Sequence, residues 1–202
     1  MTKLAFGTAV AALGLAATAA SAQTFYTDRP TFLADVAAGF YEEQFNNFTG
    51  FGVPLDGSQT TYDAPGANGF DWTASAAQGL WSNIGALSTN VALDPITITF
   101  TGSPVTAVGG DFANTDISGN VIGGTVTILT STGDTFTQPS DSFIGFTSPV
   151  PIVSVTLSAE DGGNNSWIQI DNFVTGSFNV PEPTSGLALL GAAGGLLLRR
   201  RK

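Results

Sequence analysis

The sequence predicts an all-β protein: a jelly-roll-like antiparallel β-sandwich with one short N-terminal helix, plus an apolar helix at the C-terminus. Three observations lead there. Apolar residues alternate with Thr and Ser in successive runs, turn signals punctuate those runs at short intervals, and helical patterning appears only early in the body and again at the tail.

In chain order, Met1 to Lys3 is a short basic segment, Leu4 to Ala17 is a run of apolar, Gly and Thr residues, and Ala20-Ser21-Ala22 supplies a small-x-small cleavage pattern. Residues 1–22 therefore read as a secretory signal peptide for Sec export, cut between Ala22 and Gln23. A helix follows: Asp28 is an N-cap, Pro30 suits the first turn, and Phe32, Leu33 and Val36 share a face.

Beyond it the period becomes two. Ile96, Ile98 and Phe100 alternate with Thr97 and Thr99; Val126 and Ile128 with Thr125 and Thr127; Val153, Val155 and Leu157 with Ser154, Thr156 and Ser158. Each such strand has one buried face and one wet face. Strands are expected near 41–46, 69–75, 80–85, 95–101, 105–112, 121–130, 134–138, 142–147, 151–159 and 166–178, between turn signals such as Asp56-Gly57, Pro65-Gly66, Gly123-Gly124 and Gly133-Asp134. Nine or ten strands favour a jelly roll over an immunoglobulin-type sandwich. The body, residues 23–179, is expected to be a single β-sandwich domain.

The tail, residues 180–202, has a distinct order: Pro181-Glu182-Pro183, an apolar stretch from Ser185 to Leu198, then the basic stop Arg199-Arg200-Arg201-Lys202. As a helix the stretch would be about 21 Å long, short of a roughly 30 Å hydrocarbon core unless the Arg side chains snorkel. By the positive-inside rule its basic end stays cytoplasmic, the orientation the signal peptide also demands. This arrangement resembles the PEP-CTERM sorting signal of exported Gram-negative proteins. The resemblance implies processing by an exosortase, transient anchoring in the inner membrane, and delivery to the cell surface or extracellular space. It further implies an association with exopolysaccharide and biofilm matrix.

Charge narrows the function. Residues 23–180 carry fifteen acids and one base, Arg29, a formal charge of −14. Nucleic acid is excluded as a partner, because its binding needs clustered Lys and Arg. The same residues contain no His, Cys or Lys, which removes Ser-His-Asp triads, Cys nucleophiles, Schiff-base lysines and most zinc hydrolase sites. The remaining enzymatic option is a carboxylate-dependent glycosidase drawing on Glu42, Glu43 or Glu160 with an Asp, and no spacing singles out a pair.

No cofactor is required by this reading, and Ca²⁺ is the one these oxygens would suit. The weaker candidate is Asp111, Asn114 and Asp116, in an oxygen-rich stretch whose ordinary role is Asx-turn formation. The other follows from a second resemblance. The opening Phe25-Tyr26-Thr27-Asp28-Arg29 and the closing Ile170-Asp171-Asn172-Phe173 are similar to bodies that look like carbohydrate-binding jelly rolls. That resemblance implies a structural Ca²⁺ between an early acid and a late one, here Glu43 with Asp171 and Asn172. Sugar stacking would fall to exposed aromatic faces, with Trp72, Trp81 and Trp167 as candidates, although core packing is the commoner role of a strand Trp.

The expectation is an exported, non-catalytic cell-surface or matrix protein associated with polysaccharide. The alternatives are the glycosidase and a purely structural or adhesion protein.

Overall fold

A computed structural model describes residues 23–160, 163 and 165–179 of the 202-residue chain. The signal peptide with its cleavage residues Ala20 and Ala22, and the tail with Pro181, Glu182, Pro183, its apolar stretch and its basic stop, lie outside the described residues. Among the described residues, no helix is long and apolar enough to cross a membrane.

The strands are β1 (Thr24–Tyr26), β2 (Tyr41–Glu43), β3 (Thr61–Asp63), β4 (Trp72–Ser75), β5 (Leu80–Asn83), β6 (Ala86–Thr89), β7 (Ile96–Phe100), β8 (Val105–Thr115), β9 (Thr125–Thr130), β10 (Thr135–Pro139), β11 (Ser142–Ile152), β12 (Ser154–Glu160) and β13 (Trp167–Gly176). One helix, α1 (Arg29–Asp35), follows β1. They form two antiparallel sheets, as the alternation required. The first runs β1-β11-β8-β13-β6-β5, with β2 also paired to β13, and the second runs β10-β9-β12-β7-β4-β3.

The core lies between the sheets. Ile96, Ile98, Val126, Ile128, Val155 and Leu157 of the second sheet are fully buried against Phe112, Phe146, Ile168, Ile170 and Phe173 of the first. Their Thr neighbours cover the outer face and bond across strands, as Thr97 does with Thr156 at 3.2 Å and Thr127 with Thr137 at 2.9 Å.

Helix α1 packs on the outer face of the first sheet. Asp28 caps it, its Oδ2 accepting from the Thr31 N–H at 2.9 Å, and Phe32 is wholly buried in a second small cluster with Tyr26, Val36, Ala107 and Val174. The sheet makes room for the ring with glycines. A Cβ on Gly109 would lie 2.9 Å from Phe32 Cε1, and one on Gly145 2.8 Å from Phe32 Cδ2.

Several boundaries differ from the sequence expectation. The single strand expected at 80–85 is the hairpin β5–β6, turning at Ile84-Gly85 with Gly85 at φ +70°. Ser82, Asn83, Ser88 and Thr89 are buried there, so alternation does not mark its two arms. The strand expected from 121 begins at Thr125, with Val121 making an isolated bridge to Thr115. Strand β8 runs past its expected end at 112 to Thr115, so Asn114 of the oxygen-rich stretch lies in a strand rather than a turn.

Candidate functional site

Inward-facing core residues fix the parity of the outer face. Leu80, Leu87, Ile168 and Ile170 point into the core, so Trp81, Ser88, Trp167, Gln169 and Asp171 point outward. Register then builds rows across the sheet. Trp81 stands opposite Ser88, Ser88 opposite Gln169, and Gln169 opposite Ala113. In the next row Trp167 stands opposite Thr115, and in the row on the other side Asp171 stands opposite Asp111. Trp81 and Trp167 are two strands apart and offset by two residues, a Cα separation of about 12 Å from strand geometry.

Between the two indoles lies an open cleft of about 200 Å³, lined also by Asn83, Ser88, Thr89, Asn90, Thr115 and Asp116, with Phe51 and Ile117 at its rim. Both Trp side chains are half-buried, whereas Phe51 and Ile117 are 55% and 83% exposed. The side chains are held in place. Trp167 Nε1 donates to the Asn90 carbonyl at 3.4 Å, and Trp81 packs its Cη2 edge on Gly52. Asn83 Nδ2 donates to Gln169 Oε1 at 2.7 Å while its Oδ1 accepts from the Ile84 N–H at 2.9 Å. Thr89 is 2% exposed, and its hydroxyl has no partner among the described residues.

One wall is the turn after β8. Asp116 Oδ1 accepts from the backbone N–H groups of Ser118 at 2.8 Å and Asn120 at 3.0 Å, and Asn120 Nδ2 reaches Oδ2 at 3.1 Å. These hydrogen bonds, the Asn120 side chain first, hold its carboxyl below the usual range. Gly119, at φ +76°, closes the turn over Asn83, where a Cβ would collide with the amide.

At the other end of the same face sits a charged group. Arg29 Nη2 is 2.5 Å from Glu42 Oε1, and its Nη1 is 3.5 Å from Asp111 Oδ2. Asn172, in the left-handed region at φ +48°, donates from Nδ2 to Asp111 Oδ2 at 2.8 Å and from its backbone N–H to Asp171 Oδ1 at 2.6 Å. Burial pushes the Asp171 carboxyl above the ordinary range, and the charges of Asp111 and Glu42 add to that. The Asn172 N–H and Arg29 oppose them.

The candidates taken from sequence therefore separate. Trp81 and Trp167 come together, while Trp72 is 1% exposed in the core, edge-on to Phe173 at 5.2 Å, and has no face for a ligand. Strands β2 and β13 pair, Glu43 opposite Phe173, but parity divides the proposed ligands. Glu43 turns inward, where it accepts from the Tyr41 hydroxyl, from the Phe45 N–H at 2.8 Å and from the Tyr62 hydroxyl at 3.5 Å. Burial, then Glu43, pushes both phenols far above their ordinary value. Its neighbour Glu42 is the acid that turns outward toward Arg29. Asp111, Asn114 and Asp116 do not converge either: Asp111 faces outward, Asn114 is fully buried with its Nδ2 on the Gly123 carbonyl at 2.8 Å, and Asp116 belongs to the turn. Among the described residues no three acids are grouped so as to hold a metal ion.

Sequence reasoning did not find Asn83, Ser88, Asn90 or the rim residues Phe51 and Ile117. The parity of Trp81 against Leu80 and of Trp167 against Ile168 was the available signal for the outward face.

Comparison with known proteins adds three findings. No curated protein matches the chain. A solved structure of a CBM29-2 mutant, from a study of ligand recognition by family 29 carbohydrate-binding modules, is similar at 16% identity and a TM-score of 0.36. The similarity covers 61% of this chain and 96% of that one. The model of the PEP-CTERM protein-sorting motif matches residues 179–202, so the chain ends in that sorting motif.

Proposed function

We propose that the chain is an exported, non-catalytic surface or matrix protein whose body, residues 23–179, binds polysaccharide in the Trp81–Trp167 cleft. The sorting motif at 179–202 supports export and exosortase processing. The sugar reading is carried by one observation: two half-exposed indoles on one sheet face, two strands apart, bracket an open cleft lined by oriented amides and hydroxyls. An indole face covers the C–H side of a pyranose, and amides and hydroxyls answer its O–H groups.

Binding rather than hydrolysis is supported by the lining. Two-carboxylate hydrolysis needs acids about 5 to 9.5 Å apart across the bond to be cut. Asp116 is the one carboxylate among the described lining residues.

The test is titration calorimetry of the exported protein against a panel of oligosaccharides, with Trp81→Ala and Trp167→Ala beside the parent. Loss of at least tenfold in affinity in each variant is expected, about 1.4 kcal/mol. Binding unchanged in both variants, or no binding by the parent, overturns the reading and leaves a structural matrix protein.

A further inference from the structure

We propose that the cleft is a charge filter, taking uncharged glycan chains and rejecting uronate, sulfated or otherwise anionic ones. The inference rests on the sugar-binding reading above and adds the class of ligand.

The argument is the placement of charge along the outer face. Asp116 forms one wall of the cleft, and its carboxylate is fixed by the Ser118 and Asn120 hydrogen bonds rather than by a cation. In the opposite direction the row next to Gln169 and Ala113 holds Asp171 and Asp111, one strand step of two residues away, or about 7 Å. A chain of sugars lying across Trp81 and Trp167 thus has fixed carboxylates on both sides. By the same geometry the Asp171 Cα lies about 11 Å from the line joining the two Trp Cα atoms, so Asp116 is the near charge and Asp171 the more distant one, past the screening length of about 8 Å at physiological salt. The only basic residue in 23–179 is Arg29, and it is already engaged by Glu42 and Asp111. Among the described residues, none that lines the cleft is basic.

Neutral sugars meet no such penalty. Their hydroxyls are donors, and the carboxylate of Asp116 is an acceptor. An anionic sugar brings a like charge into the same space, the device by which interfaces reject wrong partners.

The test is an oligosaccharide array holding neutral chains and their acidic counterparts of the same linkage. It is probed with the full exported chain, its Trp81→Ala variant, and Asp116→Asn and Asp171→Asn. Every ligand whose signal Trp81→Ala abolishes is expected to be uncharged. Asp116→Asn, and the parent at about 1 M salt where the screening length falls to roughly 3 Å, should each gain at least threefold on acidic counterparts, and Asp171→Asn should show a smaller gain in the same direction. Asp171→Asn lies outside the turn, so it reports the effect even where Asp116→Asn disturbs the wall. An acidic chain bound as well as its neutral counterpart, in a Trp81-dependent way, overturns the filter and leaves sugar binding standing. Rejection of acidic chains that neither variant nor salt relaxes also overturns it. No Trp81-dependent ligand at all overturns the sugar reading and the filter together.

Discussion

Gly109 and Gly145 face each other across β8 and β11, and the ring of Phe32 occupies the space that both leave empty. The pair sets how closely α1 approaches the sheet. Gly145→Ala should force Phe32 or Phe143 off its position and cost about 1–3 kcal/mol, the usual cost of overpacking a filled site. Urea unfolding at constant m-value measures it. Gly133→Ala is not a fair control because its φ is +92°, whereas Gly123, open around its Cβ position and without a positive φ, is.

Glu43 is a packing residue in this fold, its carboxylate turned inward to the Tyr41 and Tyr62 hydroxyls and the Phe45 N–H. Replacing it by Ala removes the acceptor for the Tyr41 hydroxyl and the Phe45 N–H in a buried place, so a loss of about 2–4 kcal/mol is expected. The loss should be the same in EDTA and in excess Ca²⁺. The melting temperature of the parent should likewise be indifferent to the two, because the guanidinium of Arg29 already stands between Glu42 and Asp111. A calcium-dependent rise of several degrees in differential scanning calorimetry would contradict this.

Asp171 adds a pH dependence opposite in sign to that of Asp116, whose carboxyl is lowered. The folded-state value of Asp171 is raised, so its contribution favours the fold below the unfolded value near 3.9 and is lost as pH rises through the folded value. At neutral pH the ionised group is a cost. Asp171→Asn keeps an oxygen for the Asn172 N–H and removes the charge, so it should raise the melting temperature at pH 7. The gain should vanish by about pH 3, where the parent group is itself neutral.

The three tryptophans should divide in fluorescence quenching. Trp72 is sealed in the core and should resist acrylamide throughout, while Trp81 and Trp167 should be quenched in the free protein. A bound oligosaccharide should protect the latter two. Equal quenching of the Trp72→Phe variant and the parent would place the accessible rings elsewhere.

The parts of the fold that were legible in sequence are those where one face is apolar and the other is Thr or Ser. Ile96-Thr97-Ile98-Thr99 and Ser154-Val155-Thr156-Leu157 pair in register as their pattern required. The β5–β6 hairpin was not legible, because Ser82 is buried with its hydroxyl bonded to the Leu55 backbone and so carries the wrong polarity for its position. The cleft was half legible. Trp81 and Trp167 stand out by type, and Asp171 enters through the resemblance of the closing Ile170-Asp171-Asn172-Phe173, but the bulge at Asn172 is not legible in the pattern. Glu43, which the resemblance sets with Asp171, faces the core, and its neighbour Glu42 shares the outer face with Asp111 and Arg29.

The direction of β13 has a consequence for how the protein meets its surroundings. Trp167 begins the strand and Gly176 ends it, nine residues on, a length of about 30 Å. Just past that far end Phe178 bridges to Val36, and the Asn179 N–H bonds to the Asp35 carbonyl at 2.9 Å, so the sorting motif starts against α1. Strand β1, with Thr24 opposite Thr147, enters at the same end, beside Ala107 and Gly176. Both ends of the body thus leave from one pole and the cleft opens at the other. A load applied at Asn179 would therefore pull on α1 and the far end of β13, about a strand's length from the cleft.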